Sequence, residues 1–200
     1  ESMADNGMPP GGIEEYWETP MTLNRTWGFS KFDTTWKSPE TVITRLVEIV
    51  SRGGNFLLNI GPAGDGEIPE ATKNIFMEVG PWVSRNAESL YGTTANPFGE
   101  LPWGYCTVKG NILYLFVRDW PGDGKIELQG LKTQVNSAFL LTDQEKILSF
   151  TRGEEQIIID VPAETPDKPV SVVVLELVGA PVVSPREVFQ DESGTLTLDY

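Results

Sequence analysis

The chain has 200 residues, of which 40% are hydrophobic and 10% aromatic, and its formal net charge at pH 7 is −14. This composition is that of a globular protein with one large domain or two modest ones. The acidity argues against nucleic acid and membrane surfaces as partners, because both bind basic faces. No run of the sequence is apolar enough to span a bilayer.

The sequence contains a single cysteine, Cys106, and no histidine. One cysteine excludes an internal disulfide, and the alternating apolar residues around Cys106 predict a small buried side chain. Without histidine, the chain lacks the commonest general base and the commonest metal ligand. Any acid–base chemistry in this chain must therefore come from carboxylates.

The first predicted elements are a strand, a helix and a second strand. Residues 1–15 predict a loop, and the segment from Tyr16 to about Leu23 suits a short buried strand. Ser38-Pro39-Glu40 predicts a helix start, with serine as N-cap, and Gly53-Gly54 predicts the helix end. The apolar run at residues 55–60 is too short for a helix and is typical of a buried parallel strand.

A second helix is predicted from Ile68-Pro69-Glu70, with a kink or a split at Gly80-Pro81. Residues 16–92 therefore predict two β/α units with parallel strands, as in a barrel or a doubly wound sheet. Two units cannot close a barrel alone, since an eightfold barrel needs six more.

After Gly92 the pattern changes to short alternating runs that are separated by turn signals. The predicted strands are 104–109, 111–118, 124–129, 135–141, 146–151, 156–161 and 170–177. Short strands at this spacing predict an antiparallel β-sandwich, which is the half that could fold by itself. The predicted fold class is α/β followed by all-β, with domains at 1–96 and 97–200.

The segment from Tyr16 to Phe29 places four aromatic side chains among glutamate, asparagine, arginine and threonine. Aromatic faces beside hydrogen-bonding groups suit a sugar, whose C–H face stacks while its hydroxyls bind the polar groups. From these residues alone, a buried strand and loop with core aromatics is the better-supported interpretation.

Several longer motifs favour the sugar-site interpretation instead. They are Trp17-Glu18-Thr19, Met21-Thr22, Trp27-Gly28-Phe29, the run from Leu46 to Pro62, Asp65-Gly66, Ile68-Pro69 and Tyr91-Gly92-Thr93. In order and spacing they resemble the α-L-fucosidases of glycoside hydrolase family 29. The resemblance covers roughly residues 14–93, and the sandwich matches only as architecture. It implies the C-terminal portion of a (β/α)8-like barrel followed by the family's β-sandwich.

The resemblance implies a retaining exo-hydrolase that removes terminal α-L-fucose from fucosylated glycans or oligosaccharides by a two-carboxylate double displacement. It implies no metal and no cofactor. In the family, the nucleophilic aspartate and the fucose-binding histidines lie upstream of the Trp-Glu motif. The missing N-terminal part of the same enzyme is therefore an implied partner, and this chain alone is expected to be inactive.

The resemblance also suggests roles for individual residues. The family's acid/base is a glutamate in a variable loop ahead of the Trp-Glu motif, and Glu1, 16 residues before Trp17, is the best match. Glu14, Glu15 and Glu18 remain alternatives. Trp27 matches a sugar-contacting aromatic, and Glu18 is assigned to substrate binding, chiefly by holding polar neighbours within the barrel. Asn59 is expected to hydrogen-bond its neighbouring loop.

Two other functions remain open from the sequence. The first is a non-catalytic carbohydrate-binding or structural sandwich module, with Trp103, Tyr105 and Trp120 as sugar platforms, although core packing is the preferred interpretation of these aromatics. The second is a related retaining hydrolase that acts on sulfated fucans. The family resemblance suggests a periplasmic, secreted or lysosomal-type location and leaves a homo-oligomer open.

Overall fold

The computed structural model describes residues 7–8 and 16–184, together with the backbone of 188–190 and 196–198. The first half holds two strands and three helices. They are β1 (Glu18–Thr22), α1 (Pro39–Ser51), β2 (Asn55–Asn59), α2 (Glu70–Arg85) and α3 (Ala87–Leu90). β1 and β2 pair in parallel, which confirms the predicted β/α arrangement.

The ends of α1 follow the predicted capping signals. The Ser38 side chain accepts a hydrogen bond from the Thr41 backbone N–H at 3.1 Å, and Pro39 occupies the first turn. At the other end, Gly53 adopts φ 77°, a left-handed conformation that favours glycine. These local signals therefore set both limits of the helix.

Of the kink or split predicted for the second helix at Gly80-Pro81, the split does not occur. α2 runs through Pro81 to Arg85, and the chain breaks instead at Asn86, before α3. Buried contacts of Val79 and Trp82 outweigh the cost of about 3 kcal/mol for a proline inside a helix. Asn86 is the C-cap of α2, and both its backbone N–H and its side-chain amide donate to the Trp82 carbonyl, each at 3.0 Å.

The second half is an antiparallel β-sandwich, as predicted. Its strands are β3 (Gly104–Lys109), β4 (Ile112–Val117), β5 (Lys125–Gln129), β6 (Val135–Leu140), β7 (Asp143–Ile147), β8 (Phe150–Arg152), β9 (Gln156–Asp160) and β10 (Ser171–Leu177). One sheet has the order β3-β4-β10-β6-β7 and the other β5-β9-β8. A further antiparallel pair joins β11 (Val188–Gln190) to β12 (Leu196–Leu198).

The single strand predicted at residues 146–151 is wrong, because the chain passes there from one sheet to the other. The Leu148 N–H donates to the Ala138 carbonyl of the five-stranded sheet at 2.7 Å. The next carbonyl, that of Ser149, accepts from the Asp160 N–H beside the three-stranded sheet at 2.9 Å. Because both sheets cover one core, the alternation of apolar residues continues where the chain passes from one sheet to the other. The sequence pattern therefore does not reveal this corner.

The five-stranded sheet is covered on both faces. Its inner face packs against the three-stranded sheet, and its outer face packs against α1, α2 and β1. Alternate residues of β4 and β10 serve the two layers. Facing the sandwich core are Leu113, Leu115, Val117, Val173, Leu175 and Leu177. Facing the helices are Tyr114, Phe116, Val172 and Val174, together with Val170 just before β10. We call these residues and the buried apolar side chains of β1, α1 and α2 that pack with them the helix-facing cluster.

Polar bonds join the helices to the sandwich at the same surface. The indole N–H of Trp82 donates to the Val170 carbonyl at 2.9 Å in a buried contact. Asp167 accepts from Arg85 at 2.9 Å and from the Asn86 amide at 3.1 Å. These bonds fix the orientation of α2 on the sheet.

The predicted burial of β2 is wrong within the described residues. Phe56 and Leu58 pack against the helix-facing cluster, but Leu57 on the opposite face is 50% exposed. Among the residues that the structure describes, β2 pairs with β1 alone, and no further strand or helix covers the second face of the pair. Among the described residues, no helix has the length and apolarity needed to cross a membrane.

Candidate functional site

The candidate site lies where the two parallel strands end. The register places Thr22, the last residue of β1, beside Asn59, the last residue of β2. Residues 23–37, which we call the strand-end loop, leave β1 at this edge and carry Trp27. Loops at the carboxyl ends of parallel strands are where α/β folds place their sites.

Polar contacts hold the strand-end loop in place. Lys37 Nζ donates to the carbonyls of Thr22 at 2.6 Å and Asn24 at 3.0 Å, so it ties the end of the loop to its start. The Asp33 carboxylate accepts from the backbone N–H groups of Arg25 at 2.8 Å and Thr35 at 3.0 Å. These two bonds lower the pKa of Asp33 from its usual 3.8.

Lys37 and Asp33 are positioning residues that the sequence analysis missed. Asp33 carried one usable signal, because an aspartate two residues before a threonine favours a turn in which the carboxylate accepts the later N–H. For Lys37 the sequence holds no local signal, since its partner Thr22 lies 15 positions away.

The middle of the loop contacts the end of β2. Asn59 Nδ2 donates to the Trp27 carbonyl at 2.7 Å, which confirms that Asn59 hydrogen-bonds its neighbouring loop. Gly61 adopts φ 51°, and a Cβ added there would lie 3.3 Å from the Trp27 carbonyl oxygen. The loop therefore lies close against the chain that leaves β2.

The aromatic residues of the segment divide into buried and exposed sets. Trp17 is only 2% exposed, and its ring fills the space beside Gly54, where a Cβ would come within 2.4 Å of it. Trp27, by contrast, is 47% exposed and Phe29 48% exposed. The core interpretation therefore holds for Trp17, whereas Trp27 presents its ring at the strand-end surface.

The structure does not bring Glu18 and Trp27 together. Glu18 begins β1, and Trp27 lies beyond the other end of that strand. The four steps from Glu18 to Thr22 span about 13 Å at the usual rise of an extended chain. The side chain of Glu18 points to the face opposite buried Thr19 and Met21. Glu1, Glu14 and Glu15 lie outside the described residues.

The aromatic candidates of the sandwich are packing residues. Trp103 is 8% exposed and donates its indole N–H to the Glu127 carbonyl at 2.9 Å. Trp120 donates to the Pro162 carbonyl at 2.9 Å and packs against the sandwich core, and Tyr105 packs against the helix-facing cluster. Cys106 is fully buried, and burial raises the pKa of its thiol, as suits an unreactive core residue.

Comparisons with known proteins agree with the motifs. The family model for α-L-fucosidases matches residues 2–88. A tissue α-L-fucosidase of Mus musculus is 30% identical over 176 residues, which cover 81% of this chain and 37% of that protein. The structure of α-L-fucosidase isoenzyme 1 from Paenibacillus thiaminolyticus aligns with a TM-score of 0.80 at 36% identity, over 88% of this chain and 44% of that one. Over most of its length the chain is similar to the α-L-fucosidase family.

Within that family, the chain corresponds to the C-terminal part of the enzymes. A further relative is an α-L-fucosidase of family GH29 from Bacteroides thetaiotaomicron, solved as a trapped covalent intermediate with 2-fluoro-fucosyl fluoride. It is 26% identical with a TM-score of 0.79, over 88% of this chain and 42% of that one. The chain thus spans less than half the length of these fucosidases, and it shares their α/β and β-sandwich fold.

Proposed function

We propose that this chain is the C-terminal part of a retaining, exo-acting α-L-fucosidase that removes terminal α-L-fucose from fucosylated glycans. In this proposal, residues 16–92 supply the last two β/α units of a (β/α)8-like catalytic barrel. Residues 97–200 form the sandwich that follows it. The nucleophilic aspartate belongs to the part of the enzyme that precedes this chain.

The open face of the β1–β2 pair carries the proposal. Helices cover one face of the pair, while the other bears Leu57 at 50% exposure and no covering layer in the described residues. Barrel strands carry helices outside and interdigitating side chains inside, so an apolar side chain on this face suits a barrel interior. Six further β/α units would complete that interior.

The chemistry assigned to the complete enzyme is a double displacement. A carboxylate attacks the anomeric carbon while a carboxylic acid protonates the departing oxygen, and the second group then deprotonates the water that releases fucose. We assign the acid/base role to Glu1. The covalent intermediate trapped in the Bacteroides enzyme supports this two-step course by analogy.

In the proposed site Trp27 binds the sugar and Glu18 has a supporting role. Trp27 offers a half-exposed ring at the carboxyl edge of the strands, where the apolar face of fucose can stack. Glu18 lies at the far end of the same strand, on the face assigned to the barrel interior. We therefore assign it to organising polar neighbours inside the barrel.

Hydrolysis of an aryl α-L-fucoside by the complete polypeptide tests the proposal. Proton NMR of the first-formed fucose should show the α-anomer, as retention requires. The 200-residue chain alone should show no turnover, because the nucleophile is missing. Turnover by the pure 200-residue chain, or an inactive complete polypeptide that is correctly folded, would contradict the proposal.

A further inference from the structure

The side chain of Asn59 links the end of β2 to the backbone of Trp27. Asn59 is the last residue of β2, where the parallel register fixes it beside Thr22 of β1. Its side-chain amide donates to the Trp27 carbonyl at 2.7 Å, across 32 positions of sequence. The bond therefore ties the backbone of the exposed tryptophan to the sheet itself.

The other polar contacts of the strand-end loop act elsewhere. Lys37 ties the loop's end to its start, and Asp33 closes a turn inside it. Thr26 Oγ1 donates to the Gly28 carbonyl at 2.8 Å, which shapes the tip without attaching it to a strand. Without the Asn59 bond, the tip would keep its internal shape but lose this link to β2.

We propose that Asn59 is a positioning residue, whose amide holds the Trp27 ring where it stacks on the sugar. This inference rests on the proposed fucosidase function. Asn59 does not need to touch the substrate, because fixing the carbonyl of residue 27 limits where its ring can lie. A flexible tip would instead have to be ordered each time sugar binds, which weakens binding.

The chain offers a matched control on the same strand. Asn55, the first residue of β2, donates its side-chain amide to the Trp17 carbonyl at 3.4 Å. Asn55 and Asn59 are therefore the same residue type, on one strand, and each bonds the backbone of a tryptophan. Only the Asn59 partner belongs to the proposed sugar site, so Asn55→Ala reports any general effect of losing such an amide.

Kinetics of the complete polypeptide test the inference. Asn59→Ala and the isosteric Asn59→Asp should raise KM for aryl α-L-fucoside about three- to tenfold, the loss expected for one hydrogen bond. Asn55→Ala should stay within about twofold of wild type. Because Asn59 acts through Trp27, adding Asn59→Ala to Trp27→Ala should cause no further loss. Additive losses in this double variant, or an unchanged KM in Asn59→Asp, would overturn the inference.

A second measurement does not depend on activity. In the complete polypeptide labelled with 5-fluorotryptophan, the fluorine line of Trp27 is assigned by its absence from Trp27→Phe. Asn59→Asp should shift or broaden this line, whereas Asn55→Ala should leave it in place. An unchanged line in Asn59→Asp refutes the positioning role. If the wild-type polypeptide does not hydrolyse fucosides, the proposed function fails, and the fluorine line still decides whether Asn59 holds the loop.

Discussion

A polypeptide of residues 97–200 should not fold into a stable monomer, contrary to the expectation from the sequence pattern. Removing the helices uncovers the outer face of the five-stranded sheet, where Phe116, Val170, Val172 and Val174 are each at most 2% exposed. Burying one such side chain stabilises by about 1.5–3 kcal/mol, so four contribute roughly 6–12 kcal/mol. A whole domain is typically stable by only about 5–15 kcal/mol. The lost contribution is therefore about as large as the whole stability of a typical domain.

Size-exclusion chromatography and binding of a hydrophobic dye check this expectation. The isolated segment should aggregate or bind the dye. Replacing outer-face residues by threonine, as in Phe116→Thr, Val172→Thr and Val174→Thr together, should increase the soluble monomer. The matched change on the inner face of the same strands, Leu115→Thr with Val173→Thr, should not. A wild-type segment that is monomeric, melts cooperatively and binds no dye would refute the reasoning.

Four further predictions concern the complete polypeptide. Glu1→Ala should slow natural fucosides more than activated aryl fucosides, because a poor leaving group needs the proton, and azide should rescue the second step. Trp27→Ala should weaken sugar binding whatever the leaving group, without azide rescue. Trp82→Phe removes the buried bond to the Val170 carbonyl and should cost about 1–3 kcal/mol in urea unfolding. The Asp33 contribution to loop order, seen in the fluorine line of Trp27, should be complete above pH 3.8 and lost as pH falls through the lowered pKa.

Controls separate these effects from general damage. If Glu14→Ala, Glu15→Ala or Glu18→Ala shows the leaving-group signature while Glu1→Ala resembles wild type, the acid/base is misplaced but the family assignment stands. Trp103→Phe loses an indole bond of the same 2.9 Å length inside the sandwich. It should lower the same unfolding transition as Trp82→Phe if helices and sandwich unfold together. Asp33→Asn should abolish the pH dependence of the loop.

Local signals account for what the sequence predicted well. The N-cap at Ser38 and the left-handed Gly53 act within a few residues, so α1 could be placed from the sequence. The corner at Leu148 could not, because alternation is the same whether a strand continues or changes sheets. The exposure of one face of β2 could not be predicted either. An apolar run indicates that both faces of a strand are covered, but it does not indicate which part of the protein covers them.

The same distinction explains why the candidate site was only partly predictable. Trp27 was found through its motif, but its exposure depends on where the strand-end loop lies. That position depends on Lys37 bonding Thr22 and on Asn59 bonding the Trp27 carbonyl. These contacts join residues 15 and 32 positions apart. Residue type and spacing cannot specify such contacts, because any nearby carbonyl would accept the same donors.

The two-sided sheet also bears on the carbohydrate-module alternative. A module that worked by itself would keep its outer sheet face polar or free for a ligand. Here that face carries Tyr114, which is fully buried and donates its hydroxyl to Glu88 at 2.6 Å, and Val170, whose carbonyl binds Trp82. The sheet therefore serves as the platform on which the helices of the β/α units pack. Because α1 packs against both β2 and the sandwich strand β3, the sandwich supports the strand pair whose ends lie beside Trp27 and Asn59.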